Sequence, residues 1–142
     1  MDKVFAIGDI HGNYQLLENI LEKWNPKEEQ LVFLGDYIDR GPDSLEVLRK
    51  VMDLTQNHGA VALSGNHEQL LLYWLMYTEK SSEFYFQEKV GGIATIHSFF
   101  PDMKENITFS DVNVLELATK FKEQYSKEIE FIQQLKLYYQ WN

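Results

Sequence analysis

The chain has 142 residues, 44% hydrophobic and 25% charged, enough for one packed domain of ordinary globular composition. Its net charge of −9 sets most of the surface against nucleic acid and anionic membrane, so neither is expected as a partner. The absence of cysteine excludes disulfides, thiolate metal ligands and a cysteine-nucleophile mechanism.

The apolar stretch 3–7 at the N-terminus is too short for a signal peptide, and no stretch reaches the roughly 20 apolar residues of a membrane span. A soluble, cytoplasmic protein is expected. Three short apolar runs, 4–7, 31–34 and 61–63, lack polar alternation, as strands buried on both faces do. Each stops at a glycine-containing turn, Gly8-Asp9, Gly35-Asp36 and Gly65-Asn66. A helical stripe follows each run. The first is Leu16, Leu17, Ile20, Leu21 and Trp24, ended by Asn25-Pro26. The second, opened by Pro42, is Leu45, Val47, Leu48, Val51, Met52 and Leu54, and the third is Leu70, Leu71, Trp74, Leu75 and Tyr77. Strand, loop and helix three times over predict an α/β fold, a parallel β-α-β-α-β sheet with right-handed crossovers and flanking helices. From Ser81 the chain reads as helical, with an aromatic-rich segment 86–100 broken at Gly91-Gly92. Ser110-Asp111 is expected to cap a helix over 112–123, and Ile129, Ile132, Leu135 and Leu137 mark a last amphipathic stretch.

The three turns fall at the C-terminal ends of parallel strands, where open α/β sheets bind their ligands. In the first, Asp9 and His11 are two residues apart and project to one side of an extended segment, so a carboxylate and an imidazole can share an ion. In the second, Asp36 stands where Asp9 stands, and carboxylates on neighbouring strands can share a site or bridge two ions. Asp39-Arg40 lie a few residues beyond it, followed by Gly-Pro. In the third, Asn66 offers an amide oxygen, while the adjacent His67 is free for proton transfer. His58 at the end of the second helix and His97 in the aromatic helix read as capping and packing residues. The aromatic stretch 73–85 reads as core.

Taken in order, Gly-Asp-x-His-Gly at 8–12, Gly-Asp-x-x-Asp-Arg-Gly at 35–41 and Gly-Asn-His-Glu at 65–68 resemble the signature of the calcineurin-like metallophosphoesterase superfamily. The Asp-Arg-Gly ending resembles its phosphoprotein phosphatase branch, which holds bacterial serine/threonine phosphatases and symmetrical dinucleoside tetraphosphate hydrolases. The later segment 91–95, beginning Gly91-Gly92, is similar to one in bacterial relatives. The resemblance implies two divalent ions, manganese first with iron or zinc as alternatives. Asp9 and His11 would hold the first ion, Asp36 would bridge, and Asn66 would hold the second. It implies attack on phosphorus by a hydroxide shared by the two ions, with Arg40 binding phosphate, His67 acting as general acid and Asp39 orienting it.

The resemblance further implies ligand histidines and a second sheet, completing a four-layer α/β/β/α sandwich, that have no counterpart in 1–142. The chain is therefore expected to be one calcineurin-like domain truncated at its C-terminus. Its expected function is hydrolysis of phosphate monoesters, foremost on phosphoserine or phosphothreonine proteins, with small phosphoesters as further substrates. A dinucleoside polyphosphate hydrolase and an inactive metal-binding module are the alternatives.

Overall fold

The computed structural model describes residues 1–103 and 113–142. It contains, in chain order, β1 (Lys3–Ile7), α1 (Tyr14–Leu21), β2 (Glu29–Phe33), α2 (Ser44–Asn57), β3 (Val61–Ala62), α3 (Asn66–Met76), α4 (Thr78–Tyr85), α5 (Gly92–Phe99), α6 (Val114–Gln124) and α7 (Ser126–Gln133). The strands form one parallel sheet in the order β1-β2-β3, with Lys3 to Ile7 pairing Glu29 to Phe33, and Val32 and Phe33 pairing Val61 and Ala62. Stepping one strand at a time in one direction puts right-handed crossovers on one face of the sheet, and α1 and α2 accordingly pack on each other. After α7 the chain returns to the sheet, where the Ser64 N–H donates to the Lys136 carbonyl at 2.8 Å.

The expected parallel α/β architecture is therefore present, with differences in detail. Of the three apolar runs only β2 is buried along most of its length, through Leu31, Val32 and Phe33. β1 is an edge strand and exposes Lys3 and Ala6. Leu34, read as the end of the second strand, lies beyond it and is exposed. The first helix stops at Leu21, short of the proline, because the chain turns through 22–28 and the Trp24 indole N–H donates to the Glu29 carbonyl at 3.0 Å. That bond fastens Trp24 to β2. Leu17 is the one buried residue of α1, while all apolar members of the second stripe but Met52 are buried in α2. Tyr77 and Leu137 are exposed. The expected Ser110-Asp111 cap lies outside the described residues. Within them, the Asn113 side chain caps α6 by accepting the Glu116 N–H at 3.1 Å. No described helix is long and apolar enough to cross a membrane.

The second and third loops meet backbone to backbone. A Cβ added at Gly65 would lie 2.3 Å from Asp36 Oδ1 and 2.4 Å from the Asp36 nitrogen. No side chain fits in that space. Gly65→Ala is expected to cost about 1–3 kcal/mol of stability as overpacking and to displace Asp36, read as a lowered thermal midpoint together with weaker metal binding.

Candidate metal centre and the adjoining histidine–aspartate pair

The strand ends turn abruptly because five non-glycine residues take left-handed backbone: Asp9 (φ 52°), His11 (φ 43°), Asp36 (φ 59°), Asp39 (φ 72°) and Arg40 (φ 75°). Among the described residues no other non-glycine residue does so. Such conformations cost of order 1–3 kcal/mol each and persist where surrounding contacts impose them. Here the first two loops are zipped together by main-chain bonds. The N–H groups of His11 and Gly12 donate to the carbonyls of Asp36 (2.9 Å) and Tyr37 (2.8 Å), and that of Gly41 returns to the His11 carbonyl (3.0 Å).

That zipper gathers three of the predicted ligands. One ligand atom each from Asp9, His11 and Asp36 lie within 4.8 Å of one another. The His11 Nδ1 faces the Ile38 carbonyl at 2.9 Å. A carbonyl can only accept, so Nδ1 carries the proton and Nε2 keeps its lone pair for an ion. Asp9 is exposed and the other two are half-buried, which leaves the cluster open on one side.

Asn66 and His67 are not in a loop, as their position after a turn suggested. They open α3, with Gly65 as its N-cap. Asn66 still meets the cluster: one terminal atom of its amide lies 3.1 and 3.3 Å from the two Asp36 carboxylate oxygens. With NH2 at that point, two hydrogen bonds form. With the oxygen there, three oxygens converge, an arrangement stable only around a cation. The donor set thus fits a hard or borderline divalent ion: carboxylates, one imidazole with a free lone pair, and an amide oxygen at the edge.

Glu68 fixes this arrangement. It is fully buried, and its Oε1 accepts the N–H groups of Asp36 (2.7 Å) and Gly65 (2.9 Å) while Oε2 accepts that of Tyr37 (2.9 Å). Burial pushes its carboxyl above the usual range, and the three N–H groups pull it back. The Asp36 Oδ1 in turn accepts the His67 N–H at 3.1 Å. Glu68 stood in the third motif without an assigned role. A glutamate three residues after a helix-opening glycine, the spacing of a capping box, is its local signal.

Beside the cluster, His67 Nδ1 donates to Asp39 Oδ2 at 2.8 Å. The His67 ring meets that of His11 edge-on, with centroids 4.6 Å apart. The bond to Asp39 raises the pKa of His67 against the opposing effect of burial, with the charges of Asp39 and Asp36 adding to the rise. Asp39 is fully buried, and its Oδ1 accepts from Tyr85 Oη (2.8 Å) and Thr95 Oγ1 (2.6 Å). Asp39 and Arg40 are therefore not the surface ion pair that adjacent opposite charges usually make.

Arg40 is exposed and held from elsewhere. Its N–H donates to the Gly91 carbonyl at 3.0 Å and its Nε to the Lys89 carbonyl at 3.2 Å. Six of the seven predicted site residues are thus joined by direct contacts, and Arg40 reaches them through its chain neighbour Asp39. His58 does cap the end of α2, and His97 lies in the last turn of α5, both away from the cluster.

A parallel α/β sheet whose first two strand ends bring two carboxylates and an imidazole together, next to a buried histidine–aspartate pair, defines an α/β protein with a candidate metal centre at its C-terminal sheet edge. The chain belongs to the calcineurin-like phosphoesterase family, whose pattern matches residues 2–138. It is 44% identical over 71 residues to serine/threonine-protein phosphatase 2 of Escherichia coli K12, covering 49% of this chain and 31% of the relative. It is 41% identical over 71 residues to the symmetrical bis(5'-nucleosyl)-tetraphosphatase of Methylococcus capsulatus, covering 49% and 25%. To serine/threonine-protein phosphatase 1 of Salmonella typhimurium it is 42% identical, covering 49% and 31%. The matched part is about a quarter to a third of the length of these relatives.

Proposed function

We propose that residues 1–142 form the metal-binding part of one phosphoesterase domain that hydrolyses phosphate monoesters, foremost phosphoserine and phosphothreonine in proteins. The observation that carries this reading is the convergence of Asp9, His11 and Asp36 within 4.8 Å beside the His67–Asp39 pair. When bound, two divalent ions supply Lewis-acid polarisation of the phosphoryl oxygens and acidify water. Asp9 and His11 Nε2 would hold the first ion and Asn66 the second, with the Asp36 carboxylate as the ligand available to both. Manganese suits this mixed oxygen and imidazole set. Arg40 offers its planar guanidinium to phosphate oxygens, and among the described residues no carboxylate pairs with it. As a water oxygen bonds to phosphorus, giving up a proton to solvent, and the bond from phosphorus to the leaving oxygen breaks, His67 would deliver a proton to that leaving oxygen from Nε2. Asp39 keeps Nδ1 protonated and the ring in register.

A dinucleoside polyphosphate hydrolase is the second reading, favoured by the relative from Methylococcus capsulatus that carries such a name. The net charge of −9 on residues 1–142 weighs against it as far as this part of the surface goes, since a tetraphosphate bridge is repelled by an acidic surface more strongly than a single phosphate on a peptide.

Two measurements test the proposal. Titration of the 142-residue chain with manganese by calorimetry is expected to show one ion, with a second bound far more weakly. Beyond Asp36, Asn66 is the one donor to the second ion among the described residues. Two equally tight ions would overturn this ligand assignment. The chain, with any continuation its gene encodes, is then assayed with manganese on a phosphopeptide and on a dinucleoside tetraphosphate. A higher kcat/KM on the phosphopeptide is expected. The reverse order selects the second reading, and no turnover with ions bound leaves a metal-binding module.

A further inference from the structure

A buried ionised carboxylate is unfavourable unless its oxygens are satisfied. Asp39 has no exposed surface, and among the described residues no basic side chain other than His67 pairs with it. What satisfies it comes from two helices far along the chain. Tyr85 is the last residue of α4, and its hydroxyl donates to Asp39 Oδ1 at 2.8 Å. Thr95 lies in α5, and its hydroxyl donates to the same oxygen at 2.6 Å. The Thr95 oxygen also accepts the Asp39 N–H at 2.9 Å. Its one proton is committed to the carboxylate, so the Ser44 hydroxyl, 3.1 Å away, must donate to Thr95. The chain of donors therefore runs one way, from Ser44 to Thr95 to Asp39.

The ionisation states agree with this direction. Burial, reinforced by the Asp39 charge, drives the Tyr85 phenol well above its ordinary value, so it stays a donor. With Oδ1 occupied by two hydroxyl donors, Oδ2 is left for the His67 Nδ1 alone. The backbone provides for the same contact. A Cβ at Gly92 would lie 2.6 Å from the Tyr85 carbonyl oxygen and 2.7 Å from its ring, and one at Gly91 would lie 2.5 Å from the Arg40 nitrogen. The Gly91-Gly92 pair lets α5 start flush against both Tyr85 and the second loop.

We infer that Tyr85 and Thr95 are positioning residues: together they clamp Asp39 Oδ1 so that Oδ2 points at His67 and fixes its ring. The inference deepens the proposed role of the His67–Asp39 pair and rests on that reading for its catalytic meaning. Its test needs neither metal nor turnover. In the folded chain with isotope-labelled histidine, NMR is expected to show His67 protonated at Nδ1, with proton–proton contacts joining it to the side chains of Tyr85 and Thr95. Tyr85→Phe and Thr95→Val each remove one donor from Oδ1 with little change of shape. Each is expected to shift the His67 Nδ1–H resonance and to speed its exchange with water roughly tenfold, equivalent to about 1.4 kcal/mol. Thr95→Ser restores the hydroxyl and is expected to return the resonance and its exchange rate toward those of the parent chain.

A resonance unmoved in position and exchange in either folded variant overturns the clamp. So does a failure of serine to rescue. If neither variant folds, the parent spectrum decides: His67 protonated at Nε2 instead of Nδ1 overturns the inference, and Nδ1–H with the stated contacts supports it. Because the readout is a proton on His67, a chain without phosphoesterase activity can still pass this test, and an active one can fail it.

Discussion

Asp36→Asn is expected to lower manganese affinity by more than the roughly 10–100-fold that losing even an outer-shell partner costs, and, in the chain with any continuation its gene encodes, to abolish the proposed phosphatase activity. Among the described residues Asp36 is the only candidate ligand in contact with both halves of the site. It shares the cluster with Asp9 and His11, and its carboxylate lies against the Asn66 amide. Removing its charge weakens both proposed ion positions together. Asparagine is the informative replacement because, like aspartate, it tolerates the left-handed backbone that Asp36 adopts at φ 59°. The bonds from the Asp36 N–H to Glu68 and from His11 N–H to the Asp36 carbonyl involve only main chain at this residue and survive the change. A folded Asp36→Asn protein with unchanged metal content by elemental analysis would remove the bridging role.

The parts of the fold visible in the sequence are those set by local pattern. Apolar runs ending in Gly-Asp or Gly-Asn give the strands and their order, because β2 and α2 bury nearly every apolar side chain that the pattern marks. Where burial is partial the pattern misleads. β1 at the sheet edge looks as apolar as β2, and Leu16 and Ile20 of α1 keep the helical spacing while remaining exposed. The site divides in the same way. Asp9, His11, Asp36 and Asn66 were legible because each stands at a strand end or just beyond it, where the topology brings it to a common edge. Tyr85 and Thr95 were not. They reach Asp39 across 46 and 56 residues of chain, and a tyrosine among core aromatics or a threonine within a helix carries no local sign of the carboxylate it will meet. Thr95 lies within the 91–95 segment already set apart by its Gly91-Gly92 pair, and the structure supplies a physical reason for those glycines in the close approach to Arg40 and Tyr85.

In the chain with any continuation its gene encodes, His67→Asn is expected to reduce kcat of the proposed reaction by roughly 10²–10⁴-fold, the span of general acid–base catalysis, while metal content stays near that of the parent. The separation follows from geometry. His67 contacts the metal cluster through its main-chain N–H, which Asp36 Oδ1 accepts at 3.1 Å, and asparagine retains that N–H. Its ring instead commits Nδ1 to Asp39, and in the proposed reaction Nε2 would serve the leaving oxygen. An asparagine amide can reproduce the donor toward Asp39, so the buried carboxylate keeps a partner, but it has no proton to give at the Nε2 position. The loss therefore depends on the substrate. An alkyl phosphate such as phosphoserine releases a strongly basic oxygen and needs the proton in the transition state, whereas p-nitrophenyl phosphate releases a stable phenolate and needs it little. Measured side by side, the variant is expected to retain a much larger share of the parent rate on p-nitrophenyl phosphate than on a phosphopeptide. Equal losses on both substrates, with metal retained, would assign His67 to binding or structure and take the proton-donor role away from it.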